Sequence, residues 1–322
     1  MNTPILLITF NRPEHTRMVL SSIMSIQPKD LYVFQDGARE EREDDSRKCA
    51  EVQQVIKSLT AETSTRLHLF LSDNNLGCGP GPASAISWFL NEVEQGIIIE
   101  DDAVPHPDFF PYASMLLERY KDDPSVFAIG SMNVDLHPWG DGSYYFSMMN
   151  RNLCAWATWR RAWKHFDLQM RDVSISHLNK ALKHYHCSLL EREYWCDRLR
   201  EIRDNVCDGK SWDMQFFMSI WLNNGKGVIP NVNLSSNIGT VGEATHSMAA
   251  GNLIDSVPTK PILPITHPSQ SWIQHESDKQ FHFRYFEPGK EGWSKGKSIY
   301  YVLNKRLKHL LGHQGPWIKK IT

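Results

Sequence analysis

The chain has 322 residues, of which 41% are hydrophobic and 22% charged, and its formal net charge is -2. Those values are ordinary for a soluble globular protein and exclude a general nucleic-acid binder, which would be basic. No stretch approaches the roughly 20 consecutive apolar residues that a membrane-crossing helix needs, and the length suits one large domain or two.

The first 130 residues alternate between strand and helix patterns. Ile5–Thr9 is a short apolar strand ending in Phe10-Asn11-Arg12-Pro13, and Glu14–Ile26 carries Met18, Val19 and Ile23 at helical spacing behind Pro13. Leu31–Gln35 is a second strand, closed by the turn signal Asp36-Gly37. The charged run Glu40–Ser46 reads as solvated and leads into a helix near Arg47–Leu59. Arg66–Leu71 is a third strand. A Gly/Pro loop from Asp73 to Pro82 follows, then a helix over Ala83–Glu94. That loop reads equally as a plain turn or as a backbone cradle for phosphate at a helix N-terminus.

Gly96–Pro105 organises what precedes it. Ile97-Ile98-Ile99 has the pattern of a strand buried on both faces, and it runs directly into Glu100-Asp101-Asp102, with Pro105 as the stop. Three adjacent carboxylates repel one another unless a cation or donors neutralise them, and their oxygens suit Mg²⁺ or Mn²⁺. The competing reading is a cap for the helix near Asp108, for which one Asp suffices. Four strands separated by three helices predict an α/β fold with a mainly parallel sheet and helices on both faces. Asn11, Arg12, Asp36, Asp73 to Asn75 and the acids all fall at carboxyl ends of strands, where such sheets bind ligands.

Further on, Asp108–Tyr120 predicts a helix, Val126–Ile129 and Tyr144–Met149 predict strands, and His177–Val206 reads as one charged helical insertion. Trp156, Trp159 and Trp163 are open to two readings, core packing for at least one or a wall on which sugars stack. Trp212–Asn223 is another helix, and Val228-Ile229-Pro230 begins a strand. The six cysteines are dispersed and read as reduced thiols; His184, His186, Cys187, Cys196 and Cys207 lie close together without the spacing of a closed zinc site. Ile5–Ile8 is too short for a secretory leader, so the expected setting is cytoplasmic. From Lys295 to Thr322 there are six Lys and one Arg and no acid, and Tyr300–Leu311 predicts a basic amphipathic helix, either a solvated face or a peripheral contact with a membrane's inner surface.

The ordered motifs resemble an inverting, nucleotide-sugar-dependent glycosyltransferase of the GT-A fold. Thr9-Phe10-Asn11-Arg12-Pro13, Gln35-Asp36-Gly37 and Asn75-Leu76-Gly77 are similar to the family-2 transferases. Glu100-Asp101-Asp102 through Phe110, Trp212-Asp213 and Gly239–His246 are similar to the N-acetylglucosaminyltransferase I type. The resemblance runs from about Pro4 to His246 and leaves the stretch between Trp139 and Lys210 and the C-terminal tail uncovered. It implies a catalytic domain over 1–250, with a nucleotide-binding part about 1–130 and an acceptor-side part about 131–250 that holds a helical insertion about 175–208. An extension over 251–322 follows.

For the site, the resemblance implies a pocket for a nucleotide-sugar donor lined by Thr9, Asn11, Arg12, Asp36, Asn75, Gly77, Glu100 and Asp101, with Asp36 toward the base. It implies Mn²⁺ or Mg²⁺ on Asp102 and His246, and Asp213 as the base that deprotonates a glycan or lipid-linked acceptor. Met214 stands where that type has a second Asp. Two rivals are an inactive sugar- or nucleotide-binding assembly protein and a sugar-phosphate nucleotidyltransferase. The latter wants a Gly-rich phosphate loop after the first strand, which Phe10-Asn11-Arg12-Pro13 is not.

Overall fold

In the computed structural model, which describes residues 1–135, 137–149, 151, 155–204, 211–239 and 257–310, the uniform apolar runs become buried strands. Strands β1 (Ile5–Thr9), β2 (Asp30–Gln35), β3 (Arg66–Leu71) and β4 (Gln95–Glu100) are joined through helices α1 (Pro13–Ser25), α2 (Asp45–Thr60) and α3 (Pro80–Glu92). Beyond them lie β5 (Ala103–Pro105), α4 (Phe109–Arg119), β6 (Val126–Gly130), β7 (Tyr144–Ser147), β8 (Ala155–Trp159) and α5 (Arg160–Trp163). Next come α6 (Ile175–His184), α7 (Leu189–Arg203), α8 (Asp213–Leu222), β9 (Lys226–Pro230) and β10 (Ser235–Asn237). Two helices, α9 (His275–Tyr285) and α10 (Lys295–Leu310), complete the described chain.

Eight strands form one sheet in the order β3-β2-β1-β4-β8-β6-β9-β7. β1 to β4, β6 and β9 run one way, and β7 and β8 oppose them, so the sheet is mostly parallel. Side chains alternate across each strand. Ile5, Leu7, Ile97 and Ile99 pack with α1, α2 and α4 on one face. Leu6, Ile8 and Ile98 pack with α3 and with α5 to α8 on the other. With both faces covered, neither set of alternating positions can be polar, which is why Ile97-Ile98-Ile99 is uninterrupted.

Several expectations are corrected. The insertion is helical as expected, and it is divided into two helices. His186 takes a left-handed backbone (φ 57°), and Ser188 and Glu191 form a capping box that starts α7 afresh. All three tryptophans, Trp156, Trp159 and Trp163, are buried, so none is a sugar-stacking wall. The run Glu40–Ser46 is not wholly solvated, because Asp45 is fully buried. Pro105 does not stop β4. The chain turns at Asp101-Asp102, and Ala103–Pro105 pairs antiparallel with Ser235–Asn237 in a two-stranded ribbon. Glu100-Asp101-Asp102 do not cap α4, whose N-cap position is held by Asp108 with no side-chain cap bond; the Asp108 Oδ2 accepts the amides of Ile262 (2.9 Å) and Leu263 (3.3 Å).

The residues after 257 are tied to the sheet. Asp278 on α9 accepts the Met148 amide (2.8 Å) and the Ser147 hydroxyl (2.5 Å) at the end of β7. Arg151, its side chain fully buried, bridges Asp135 (3.1 Å) and Asp278 (3.6 Å). No described helix is long and apolar enough to cross a membrane.

Candidate active site

β1 and β4 are adjacent and parallel, with Ile8 opposite Glu100, so their carboxyl ends open at the same place. That register sets the turn after β1 against the acids after β4. Arg12 Nη1 lies 3.4 Å from Asp102 Oδ2 and 3.8 Å from Asp101 Oδ1, and the Phe10 amide donates to Asp101 Oδ2 (3.3 Å). One guanidinium therefore faces two carboxylates, with Glu100 beside them. Burial, the charge of Asp102 next, holds the Asp101 carboxyl at about 7 despite Arg12 and the Phe10 amide. Burial also raises Asp102 against the pull of Arg12 and His15. Glu100 is raised well above the usual carboxylate range, through burial first and then the charges of Asp102, Asp101 and Asp213. An acidic group this crowded is poised to take up positive charge.

One atom makes that need local. Among the described residues, Asp102 Oδ1 is buried and has no hydrogen-bond partner. A buried carboxylate oxygen in that state is costly, and an oxygen-seeking divalent cation is the fitting complement. No three His, Cys, Asp or Glu side chains among the described residues converge to cage an ion by themselves. The donor set fits a cation whose remaining positions go to a ligand or water. His246, expected as a second ligand, lies outside the described residues, as does the rest of its segment from Thr240 on.

The ribbon of β5 and β10 supplies a feature the sequence did not announce. It carries 237–239 across the acids, where the Ile238 amide donates to the Asp102 carbonyl (2.8 Å) and the Ile238 carbonyl meets His15 Nε2 (3.1 Å). A Cβ at Gly239 would stand 2.5 Å from Asp102 Oδ2, so glycine lets this segment lie against the acid without displacing it. His15 was not singled out from sequence. Its only local signal is its place in the first turn of α1, next to the Asn11-Arg12-Pro13 turn.

Much of the expected donor pocket does framework duty. Thr9 Oγ1 donates to the Phe34 carbonyl (2.9 Å), and Asn11 Nδ2 donates to Asp45 Oδ1 (2.6 Å). Arg39 clasps Asp45 through Nε (2.6 Å) and Nη2 (3.0 Å), and together Arg39 and Asn11 hold its carboxyl down at about 2. Asp36 accepts the amides of Leu76 (2.8 Å), Gly77 (3.0 Å) and Gly37 (3.0 Å), and Asn75 Nδ2 (3.2 Å). Burial still raises its carboxyl. The cradle reading of the Gly/Pro loop is thus corrected in part, because its amides at Leu76 and Gly77 already point at Asp36. Gly77 itself has φ 80°, which glycine adopts freely.

Asp213 opens α8 and accepts a hydrogen bond from the Ser211 hydroxyl. Trp212, its neighbour, is stacked on Trp156 with ring centroids 5.8 Å apart. That stack fixes the start of α8 against β8, and the charge of Asp213 reaches Glu100. Asp213, far from Glu100 in sequence, is thereby near enough for its charge to add to the rise of the Glu100 carboxyl. Among the described residues, His184, His186, Cys187 and Cys196 do not converge into a metal site. The Cys187 thiol lies 3.7 Å from Met148 Sδ and the Cys196 thiol 4.0 Å from the Ile175 carbonyl, while Cys207 lies outside the described residues.

No family model matches the chain, and no curated protein matches it. Solved structures overlap it in part. An apo UDP-glucose pyrophosphorylase is 8% identical with a TM-score of 0.40, covering 75% of this chain and 94% of that one. The apo form of mouse xyloside xylosyltransferase 1 is 11% identical with a TM-score of 0.31, covering 68% and 81%. Overlap this partial assigns no activity, which leaves that to the site's own geometry.

Proposed function

We infer that this chain is a glycosyltransferase, which moves a sugar from a nucleoside-diphosphate donor, a UDP-sugar, to a hydroxyl of a glycan or lipid-linked acceptor with inversion. The observation that carries this reading is the meeting of Arg12 with Asp101 and Asp102 at adjoining strand ends, beside a buried Glu100 that also feels the charge of Asp213. A diphosphate leaving group needs compensation of growing negative charge, and the acceptor hydroxyl needs a proton taken from it on the far side.

Asp102 would hold a divalent cation through Oδ1, with Asp101 at its side. Mn²⁺ or Mg²⁺ bound there supplies Lewis-acid stabilisation of the leaving diphosphate. Arg12, beside the same acids, would pair with phosphate oxygens. Asp213 takes the acceptor's proton. Thr9, Asn11, Asp36, Asn75 and Gly77 shape the nucleotide wall by fixing the turn after β1 and the loop before α3, and Glu100 orients the ribose or sugar. His246 would complete the metal's ligand set or contact the diphosphate. The nucleotidyltransferase alternative lacks support from the turn after β1, which has no glycine.

The test is thermal denaturation with a panel of nucleoside diphosphates, with and without Mn²⁺. Binding stabilises the native state by mass action, so UDP with Mn²⁺ should raise Tm while either alone does less. If no nucleoside diphosphate gives a metal-dependent shift, the reading fails. Asp213→Asn should keep the shift and abolish sugar transfer; retained transfer would remove Asp213 as the base.

A further inference from the structure

The described chain exposes ten large apolar side chains, and four of them lie on α10 alone: Ile299 (39% exposed), Tyr300 (71%), Leu303 (61%) and Leu307 (54%). At 3.6 residues per turn they fall within an arc of about 100°. The opposite side of the helix is occupied. Val302 is buried with Leu190 of α7 and Phe283 of α9. Arg306 Nε donates to Glu193 Oε1 (3.0 Å), and Lys305 pairs with Asp197. The helix is therefore clamped to α7 by packing and two ion pairs, with its apolar stripe turned outward.

The geometry points to α10 as a docking face for an anionic lipid surface. Lys295 and Lys297 are exposed in its first turn, and the helix has no acid. From Lys295 to Thr322 the sequence has six Lys, one Arg and no Asp or Glu. An apolar stripe among cations is satisfied at once by acyl chains below and anionic headgroups beside it. A second copy of the same helix would bring like charges together, so charge complementarity favours lipid over self-association. The assignment is independent of the sugar-transfer chemistry. It makes the clamp on α7 the element that orients the body of the protein against the surface.

The experiment is co-sedimentation of the full chain with vesicles of phosphatidylcholine alone or of phosphatidylcholine with phosphatidylglycerol. Binding is expected only to the anionic vesicles and should fall as salt rises. Leu303→Glu with Leu307→Glu should weaken it at least ~10-fold, since it removes apolar contact and adds two like charges to the headgroups. Lys295→Glu with Lys297→Glu should weaken it comparably. Both positions are exposed, so Tm and any nucleotide-dependent shift should match the parent, which separates this result from failure of the transferase reading. Absence of binding to anionic vesicles, or binding unaltered by the leucine substitutions, overturns the proposal. So does a dimer in light scattering that the leucine substitutions dissociate, which would assign the stripe to a second copy.

Discussion

Asp45 offers the sharpest check on how the site is held. Its side chain is 1% exposed, and it receives Arg39 through two nitrogens, the Arg39 amide (3.2 Å) and Asn11 Nδ2. The carboxyl sits at about 2, against an ordinary 3.8. That difference corresponds to about 2 kcal/mol of native-state stability. Because the folded value is depressed, the contribution is complete above pH 4 and is lost as pH falls toward 2. Asp45→Asn keeps the shape and removes the charge. Urea denaturation should show the variant about 2 kcal/mol less stable at pH 7, with the gap falling to about half that at pH 3. The same change frees Asn11, so the turn that carries Arg12 loosens and the metal-dependent nucleotide shift should shrink. A gap equal at the two pH values would show that packing, not charge, holds Asp45. A loss below about 0.5 kcal/mol at pH 7, the range of an ordinary surface change, would refute the clasp altogether.

Other consequences are open to the same kind of measurement. Gly239→Ala drives a Cβ into Asp102 Oδ2, and should abolish the metal-dependent shift in nucleotide binding while moving Tm little, since the residue covers no core. Asp36→Ala strands three amides, those of Gly37, Leu76 and Gly77, and should cost about 2–4 kcal/mol by urea denaturation. Gly96→Ala places a methyl 2.3 Å from Phe89 Cζ and 2.9 Å from the Pro4 carbonyl, with an expected loss of about 1–3 kcal/mol from overpacking. A variant as stable as the parent would mean that the Phe89 ring can move aside.

The first half of the fold was legible because burial on both faces leaves a strong local mark. β1 and β3 fall on the residues expected, and the ends of α1, α2 and α4 differ by one or two residues. The acids after β4 were legible for the same reason, since a polar cluster at the end of an all-apolar strand has few explanations. What escaped was set by contacts between residues distant in sequence. Asp45 looks like one more acid in a charged run until Arg39 and Asn11 close over it. Asp36 looks like a ligand contact until Leu76 and Gly77 turn their amides on it. The ribbon of Ala103–Pro105 with Ser235–Asn237 joins two three-residue segments, each too short to show a period. The break between α6 and α7 was readable in part, as Ser188 and Glu191 have capping-box spacing, but the helical residues on both sides masked it.

The position of β8 has a consequence for how the chain folds. β8 lies between β4 and β6, antiparallel to both, so Ile97-Ile98-Ile99 gains its second neighbour only when Ala155, Trp156 and Ala157 arrive. During synthesis β1 to β4 can pair as soon as the first 100 residues are free, yet the β4 edge stays open over the next fifty-odd. An open, flat, apolar edge invites pairing with other chains. A fragment ended near residue 130 would leave that edge bare, and should aggregate where the longer chain does not. β8 fills the middle of the sheet before β9 completes the rim, and Trp156, fully buried against Trp212 and Phe216, joins β8 to the helix that carries Asp213. The strand that covers the β4 edge and the helix that bears that carboxylate are therefore tied through one aromatic cluster.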